Sequence, residues 1–356
     1  MIRAKKWVAG ATAAVLALAL VTAGCGTAKN ENNAQGGGGG NKTFRVAMVT
    51  DVGGVNDNSF NESAWNGLQK LQQDKGVEVK YVESKNDADY VPNLTSFVKD
   101  GYDLTWGIGY LMGDAVKEVA KKNPDAKLAI VDFDLSKEGL KNVASVTFKE
   151  HEGSFLVGVI AGMMTKTNKV GFVGGMEFDV IKRFENGFKA GVKTVNPKAD
   201  VVVVYTGAFN KPDLGKQAAA SMYDQGVDII FHASGQTGDG VFNEAKERRK
   251  AGKTVWVIGV DKDQSLTFGT DVTLTSMVKR VDNAVYTVSE KLLNGQFPGG
   301  RVLQLGLKED GVGIPETTKQ NVPADVLAKV EEYKQKIING EIKVPATDKE
   351  YQAQFK

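Results

Sequence analysis

The chain is poor in the two side chains that most often carry nucleophilic, redox and transition-metal chemistry. Its 356 residues include a single cysteine, Cys25, and two histidines, His151 and His232, at distant positions. No cysteine follows Cys25, so disulfides and thiol chemistry are excluded from the rest of the chain. Two separated histidines disfavour a histidine-rich metal site or a catalytic triad. We therefore predict a protein without a metal, a cofactor or an enzymatic activity.

The sequence also lacks an excess of charge of either sign. There are 45 Lys and Arg residues against 43 Asp and Glu residues, a net charge of +2. Removal of residues 1–24, which contain Arg3, Lys5 and Lys6, would leave a net charge of −1. A near-neutral protein lacks the excess of basic residues that binds a phosphate backbone, so nucleic acid is not an expected partner.

The N-terminus has the pattern of a secretion signal. Its basic start is followed by residues 7–23, which carry no charge, and small residues precede Cys25. This order is typical of a cleaved signal peptide, here residues 1–24. It resembles a bacterial lipobox, which predicts a lipid on Cys25 and an extracytoplasmic protein held at the cell membrane. The alternative is a single-pass anchor, for which the run is slightly shorter than the usual ~20 residues.

A glycine-rich segment follows the predicted lipidation site. It includes five consecutive glycines at 36–40 among polar residues. Such a composition buries little apolar area and is typical of a flexible linker. We interpret residues 25–42 as a tether between the lipid anchor and a folded part.

From residue 43 onward, short β-branched runs alternate with amphipathic helical patterns. Strands are predicted at 44–50, 77–82, 104–108, 128–132, 143–148, 169–173, 201–205, 229–231, 255–260, 272–277 and 302–307. Helices are predicted to begin near 61, 93, 113, 152, 180, 214, 239 and 283, with a last one at 324–337. Apolar strands separated by helices indicate an α/β protein with parallel sheets covered on both faces.

The rhythm pauses near residue 148 and restarts at 169, which predicts two lobes joined by hinge crossings. We assign residues 43–148 plus about 279–310 to an N-terminal lobe, 149–278 plus about 311–345 to a C-terminal lobe, and 346–356 to a C-terminal tail. The apolar, small-residue helix near 152 is interpreted as a tightly packed helix at the boundary. A single large doubly wound sheet is the alternative.

Ligands of open parallel sheets bind beyond the carboxyl ends of the strands. The loops at those ends contain Asp51, Asp132 and Asp261, together with Phe60 and Phe209. None of these loops contains both a serine and a histidine that could act as its base. Carboxylates and aromatic rings suit a polar, flat, uncharged molecule, because rings stack on aromatics and hydroxyls donate to carboxylates. Each aspartate could instead cap the helix that follows it.

Several segments resemble the basic membrane protein family of lipoproteins, the purine nucleoside receptors of ABC transporters. The resemblance covers nearly all of residues 43–345 and rests on motifs at 51–57, 59–61, 64–67, 152–158, 171–176, 183–188 and 259–264. It implies a type I periplasmic-binding-protein fold, with two lobes that close on adenosine, guanosine or inosine. It also implies a monomer that delivers its ligand to an ABC permease.

The resemblance also implies roles for eight residues. Phe60 and Phe209 would sandwich the purine. The groups contacting the base would be Asp51, Asn56 and Asp132, and those contacting the ribose would be Asp261 and Lys279, with backbone contacts from Gly235. Asp179 stands where the family usually has proline, and the segment 210–213 departs from its usual Asn-Asp-Pro, so the preferred base stays open.

Two other functions fit the same sequence features. A sugar- or autoinducer-binding receptor of the same fold could use two aromatics and an acidic cleft for a pyranose. A surface nucleoside hydrolase could use paired carboxylates for general acid–base chemistry. The acids are dispersed over several loops rather than clustered in one, which disfavours the hydrolase.

Overall fold

A computed structural model describes residues 43–355. Cys25, the predicted signal peptide and the predicted tether lie outside the described residues. Twelve strands occur within the described range: β1 (Arg45–Thr50), β2 (Glu78–Val82), β3 (Leu104–Ile108), β4 (Leu128–Val131), β5 (Val143–Phe148), β6 (Lys169–Gly174), β7 (Asp200–Tyr205), β8 (Ile229–Ala233), β9 (Trp256–Asp261), β10 (Thr273–Lys279), β11 (Val302–Leu305) and β12 (Val312–Gly313).

The strands form two separate six-stranded sheets. The order in the first is β11-β5-β4-β3-β1-β2, and the order in the second is β12-β10-β9-β8-β6-β7. Every pairing is parallel except that between β10 and β12. The α/β fold with two parallel-sheet lobes is therefore confirmed, and the alternative of one large sheet is wrong.

Helices follow the strands as the apolar periodicity predicts. Those in the described range are α1 (Phe60–Lys75), α2 (Tyr90–Lys99), α3 (Gly113–Lys122), α4 (Glu150–Met164), α5 (Asp179–Val195), α6 (Pro212–Asp224), α7 (Thr237–Lys250), α8 (Ser265–Phe268), α9 (Val281–Leu293), α10 (Ala324–Ile338) and α11 (Asp348–Gln354). None of these helices has both the length and the apolar character needed to cross a bilayer.

The chain passes between the two sheets three times. Strand β5 leads into α4, which packs beside β10, and β10 leads into α9, which packs on α1. The third passage runs from β11 to β12. Strand β10 of the second sheet ends at Lys279, and the assignment of residue ranges to the two lobes stays a prediction. The segment 346–356, expected to be a tail, contains helix α11, where Asp348 accepts a 3.0 Å hydrogen bond from Asn186 of α5.

Helices α4 and α5 approach each other through glycines. A Cβ atom on Gly158 would lie 2.3 Å from the carbonyl oxygen of Phe188, and one on Gly191 would lie 2.1 Å from that of Phe155. Backbone atoms cannot rotate away as a flexible side chain can, so only glycine fits at these crossing points. This contact explains why α4 is rich in small residues.

Gly191→Ala should therefore destabilise the fold by about 1–3 kcal/mol, the usual range for overpacking. The matched control is Gly313→Ala, since a Cβ at Gly313 meets no atom within 4 Å. Urea unfolding of both variants measures the effect. Equal stability of the two variants would contradict the packing argument.

Candidate functional site

A cavity lies between the lobes, at the carboxyl ends of strands from both sheets. It encloses about 610 Å³ of empty space, including open solvent at its mouth. Seven of the eight predicted ligand-binding residues line it: Asp51, Phe60, Asp132, Phe209, Gly235, Asp261 and Lys279.

Asn56 is the predicted residue that the structure does not place on the cavity. Its side chain is exposed and is not part of the lining, whereas Asp57, the next residue, is buried and does line it. The Asp57 carboxylate accepts hydrogen bonds from the backbone N–H groups of Ser59, Asn61 and Glu62 at 2.9–3.0 Å. Asp57 thereby ties the loop after β1 to the first turn of α1.

The two phenylalanines come from opposite lobes. Phe60 is the first residue of α1, in the lobe built on the first sheet, and Phe209 follows β7 of the second sheet. Both side chains are partly buried and face the cavity. Phe209 lies directly over the backbone of Gly175, where a Cβ would meet its ring at 2.3 Å. A glycine at that position is what allows the ring to lie against the loop.

A chain of opposite charges, three of them buried and one partly buried, connects the two lobes at the cavity. Lys279 Nζ lies 2.6 Å from Asp132 Oδ2 and 3.3 Å from Glu150 Oε1, and Arg183 Nε lies 2.5 Å from Glu150 Oε2. Lys279 ends β10 and Glu150 begins α4, so two of the four charges sit on the crossing segments. The arrangement fixes the ammonium at the base of the cleft.

The partners of Lys279 keep it charged. Burial alone would lower the pKa of Lys279, but the carboxylates of Asp132 and Glu150 raise it above its usual value. Burial likewise opposes ionisation of Glu150, and the charges of Arg183 and Lys279 overcome it, so the pKa of Glu150 is lowered. Opposite charges within about 4–6 Å favour the ionised form in this way.

Asp261 combines a contact across the cleft with an unusual backbone. Its Oδ2 accepts a 2.5 Å hydrogen bond from Ser59 Oγ of the opposite lobe. Burial raises its pKa to about 6, although Lys279 opposes the shift. Asp261 and Asp132 have φ values of 66° and 69°, a left-handed conformation that is uncommon outside glycine. Such strain at two strand ends is typical of functional sites.

Further hydrogen bonds join the lobes around the cavity mouth. Asn58 Nδ2 donates to Asp239 Oδ2 at 3.1 Å, and Gln264 Nε2 donates to the backbone oxygen of Asn58 at 3.0 Å. Gln264 is held in turn by buried His232, whose Nε2 lies 2.8 Å from Gln264 Oε1. Burial lowers the pKa of His232 to about 4, so the ring is neutral and its role is structural. These hydrogen bonds hold the two lobes in contact beside the cavity.

Sequence reasoning missed several residues of the cavity wall. Tyr110 follows β3 and Phe178 follows β6, and their rings stack across the cleft at a centroid distance of 5.0 Å. The strand-end rule that located Asp51 also applies to both loops and could have found them. Asn61 lies in the loop after β1 that the same rule covers, but the sequence did not single it out, because its placement depends on hydrogen bonds to Asp51 and Asp57.

Two lobes of parallel sheet with a cavity between them, lined by aromatic rings and buried aspartates, are typical of the class of solute-binding proteins. The chain belongs to the Bmp family, described as ABC transporter substrate-binding protein PnrA-like, whose profile matches residues 44–348. This membership confirms the resemblance seen in the sequence.

Named relatives cover almost the whole chain. It is 49% identical to a CD4+ T-cell-stimulating antigen of Listeria innocua and 40% identical to the ABC transporter nucleoside-binding protein BmpA of Lactococcus lactis, in both cases over 96% of this chain and 99% of the relative. A crystal structure of an ABC transporter solute-binding protein from Aeropyrum pernix is similar with a TM-score of 0.80 and 32% identity, over 87% of this chain and 96% of that one.

Proposed function

We propose that this protein captures a purine nucleoside in the cavity between its lobes and delivers it to the permease of an ABC transporter. The observation that carries the proposal is the pairing of Phe60 and Phe209 from opposite lobes around a cavity lined by buried aspartates. Family membership supports the transporter partner, and the name of the Lactococcus lactis relative supports a nucleoside ligand.

In this proposal the purine ring lies between Phe60 and Phe209. Asp51 and Asp132 face the base, while Asp261, Lys279 and the Gly235 backbone face the ribose. Asn56 is left out, since its side chain is exposed. A carboxylate accepts hydrogen bonds from hydroxyls, and an ammonium donates to them, so Asp261 and Lys279 together suit a diol.

The charge of the cavity argues for an uncharged ligand. Four aspartates line it, Asp51, Asp57, Asp132 and Asp261, against the single ammonium of Lys279. Burial raises the pKa of Asp51, which marks a site where further negative charge is costly. A nucleoside adds no charge, whereas a nucleotide brings a phosphate close to carboxylates.

Native mass spectrometry of the protein purified from cells tests this function. The expected result is a retained ligand with the mass of a purine nucleoside that is released on denaturation. A retained hexose or pentose would contradict the proposal and favour the sugar-receptor alternative. Incubation with inosine should leave it intact, and release of hypoxanthine would favour the hydrolase.

We further propose that the protein is lipidated at Cys25 and held on the extracytoplasmic face of the cell membrane as a monomer. Cys25→Ser should release the protein into the medium or mislocalise it, because the diacylglycerol has no other thiol to join. Nucleoside affinity should not change, since the glycine-rich segment separates Cys25 from the lobes. Fractionation with labelled palmitate measures the result. Unchanged membrane retention with unchanged label would contradict the anchor.

A further inference from the structure

Two buried oxygen atoms of the cavity-lining residues have no hydrogen-bond partner within residues 43–355. They are Asn61 Oδ1 and Asp132 Oδ1. Asn61 is 1% exposed and Asp132 is 8% exposed, and both belong to the N-terminal lobe. A buried acceptor without a donor costs free energy, so such atoms are rare unless a ligand completes them.

The orientation of the Asn61 amide is set by two carboxylates. Its Nδ2 donates to Asp51 Oδ1 at 2.9 Å and to Asp57 Oδ2 at 3.2 Å. A flipped amide would place its oxygen against both carboxylate oxygens, which is unfavourable. The nitrogen therefore stays with the carboxylates, and Oδ1 is the atom that Asn61 can offer to a ligand. An amide oxygen accepts hydrogen bonds and cannot donate them.

Asp132 is also an acceptor, because its carboxylate forms an ion pair with the Lys279 ammonium. Oδ2 lies 2.6 Å from Lys279 Nζ, which leaves Oδ1 for another donor. Burial raises the pKa of Asp132, and the charge of Lys279 opposes that shift. The wall of the N-terminal lobe thus offers acceptors from two elements that line the same cavity, the end of β4 and the start of α1.

We infer that these two acceptors select a 6-oxopurine nucleoside, guanosine above all, over adenosine. This inference rests on the proposed function and on the base facing Asp51 and Asp132. Guanine has adjacent donors on one edge, the ring N1–H and the 2-amino group. Hypoxanthine keeps the N1–H alone. Adenine presents an unprotonated N1 beside its 6-amino group, so one lone pair would face a buried acceptor.

Calorimetry with the wild-type protein tests the inference on the ligand side. Guanosine should bind at least about tenfold more tightly than adenosine, with inosine between them, since an unpaired buried polar group costs about one decade of affinity or more. 1-Methylguanosine, which lacks the N1–H, should lose a similar factor. Adenosine binding as tightly as guanosine would overturn the inference. Absence of binding for all purine nucleosides would instead overturn the proposed function.

Asp132→Asn tests it on the protein side. Asparagine tolerates the left-handed backbone of this position and can turn an N–H₂ donor toward the base. The ratio of guanosine to adenosine affinity should fall by about fivefold or more, even if both affinities drop through the lost ion pair. The matched control is Asp114→Asn, an exposed residue of α3 in the same lobe. An unchanged ratio in Asp132→Asn would contradict the assignment, and the methylated ligand tests it independently if that variant does not fold.

Discussion

Lys279→Met should abolish high-affinity nucleoside binding and lower the free energy of unfolding by about 3–5 kcal/mol, the cost of breaking a buried ion pair from one side. Lys279 is 1% exposed and neutralises two buried carboxylates, those of Asp132 and Glu150. Methionine fills much of the volume but leaves the Asp132 carboxylate without its counter-ion, while Glu150 keeps only Arg183. We expect affinity to fall at least about 100-fold, since a charged group left unpaired on ligand binding costs several kcal/mol.

The control for Lys279→Met is Lys308→Met, an exposed lysine whose loss should change neither quantity. The double variant Lys279→Met with Asp132→Asn should be more stable than Lys279→Met alone, because one uncompensated charge is removed. Urea unfolding and calorimetry measure both effects. Wild-type stability in Lys279→Met, or no recovery in the double variant, would contradict the account of the charge chain.

Phe60→Ala and Phe209→Ala should each weaken nucleoside binding by roughly 5- to 150-fold. Stacking of a base on an aromatic ring is worth ~1–3 kcal/mol on alanine substitution, and each 1.4 kcal/mol is tenfold in affinity. Both rings are partly buried and line the cavity, so alanine also leaves apolar space there. Titration calorimetry gives the affinity of each variant.

Leucine at the same two positions is the control for volume. Phe60→Leu and Phe209→Leu should recover only part of the lost affinity, since leucine fills space without a π face. Lys279 Nζ lies 5.0 Å from the centroid of the Phe60 ring, so Phe60→Ala also removes a cation–π contact. Phe209→Ala is therefore the cleaner measure of stacking alone. Wild-type affinity in both folded alanine variants would exclude the sandwich.

The strand–helix order could be predicted because each buried strand is an apolar run that ends at a polar residue. Asp51, Asp132 and Asp261 were located this way, as residues at the carboxyl ends of β1, β4 and β9. The carboxyl ends of parallel strands lie at one edge of each sheet. A residue at the end of a predicted strand can therefore be placed at that edge from the sequence alone. Strand β12 is two residues long and has no pattern of its own, and it exists because β10 offers it a partner.

The loop after β1 could not be resolved from the sequence. Asn56, Asp57 and Asn61 are all short polar residues, and which of them faces the cavity depends on the backbone between them. Asn58 has a left-handed φ of 52°, and Asp57 caps α1. These two features turn Asn56 outward and Asn61 inward, and neither follows from residue spacing.

The ion pairs that join Asp132, Lys279, Glu150 and Arg183 could not be predicted from the sequence, because these residues are far apart along it. Glu150 and Arg183 are 33 positions apart, yet their side chains are in contact. An acidic residue at the start of a helix normally suggests favourable interaction with the helix dipole. Glu150 is fully buried because the crossing segments cover it, a consequence of how the two sheets are connected.

Calorimetry across a series of ligands tests the central claim, a nucleoside held between the lobes, most directly. The series is guanosine, 2′-deoxyguanosine, guanine, guanosine monophosphate and ribose. The account predicts tightest binding for guanosine, weaker binding for the deoxynucleoside, and at least about tenfold weaker binding for the free base, because Asp261 and Lys279 lose their hydroxyl partners. The monophosphate should bind poorly beside the aspartates. A free base that binds as tightly as its nucleoside, or ribose that binds more tightly than guanosine, would contradict the account.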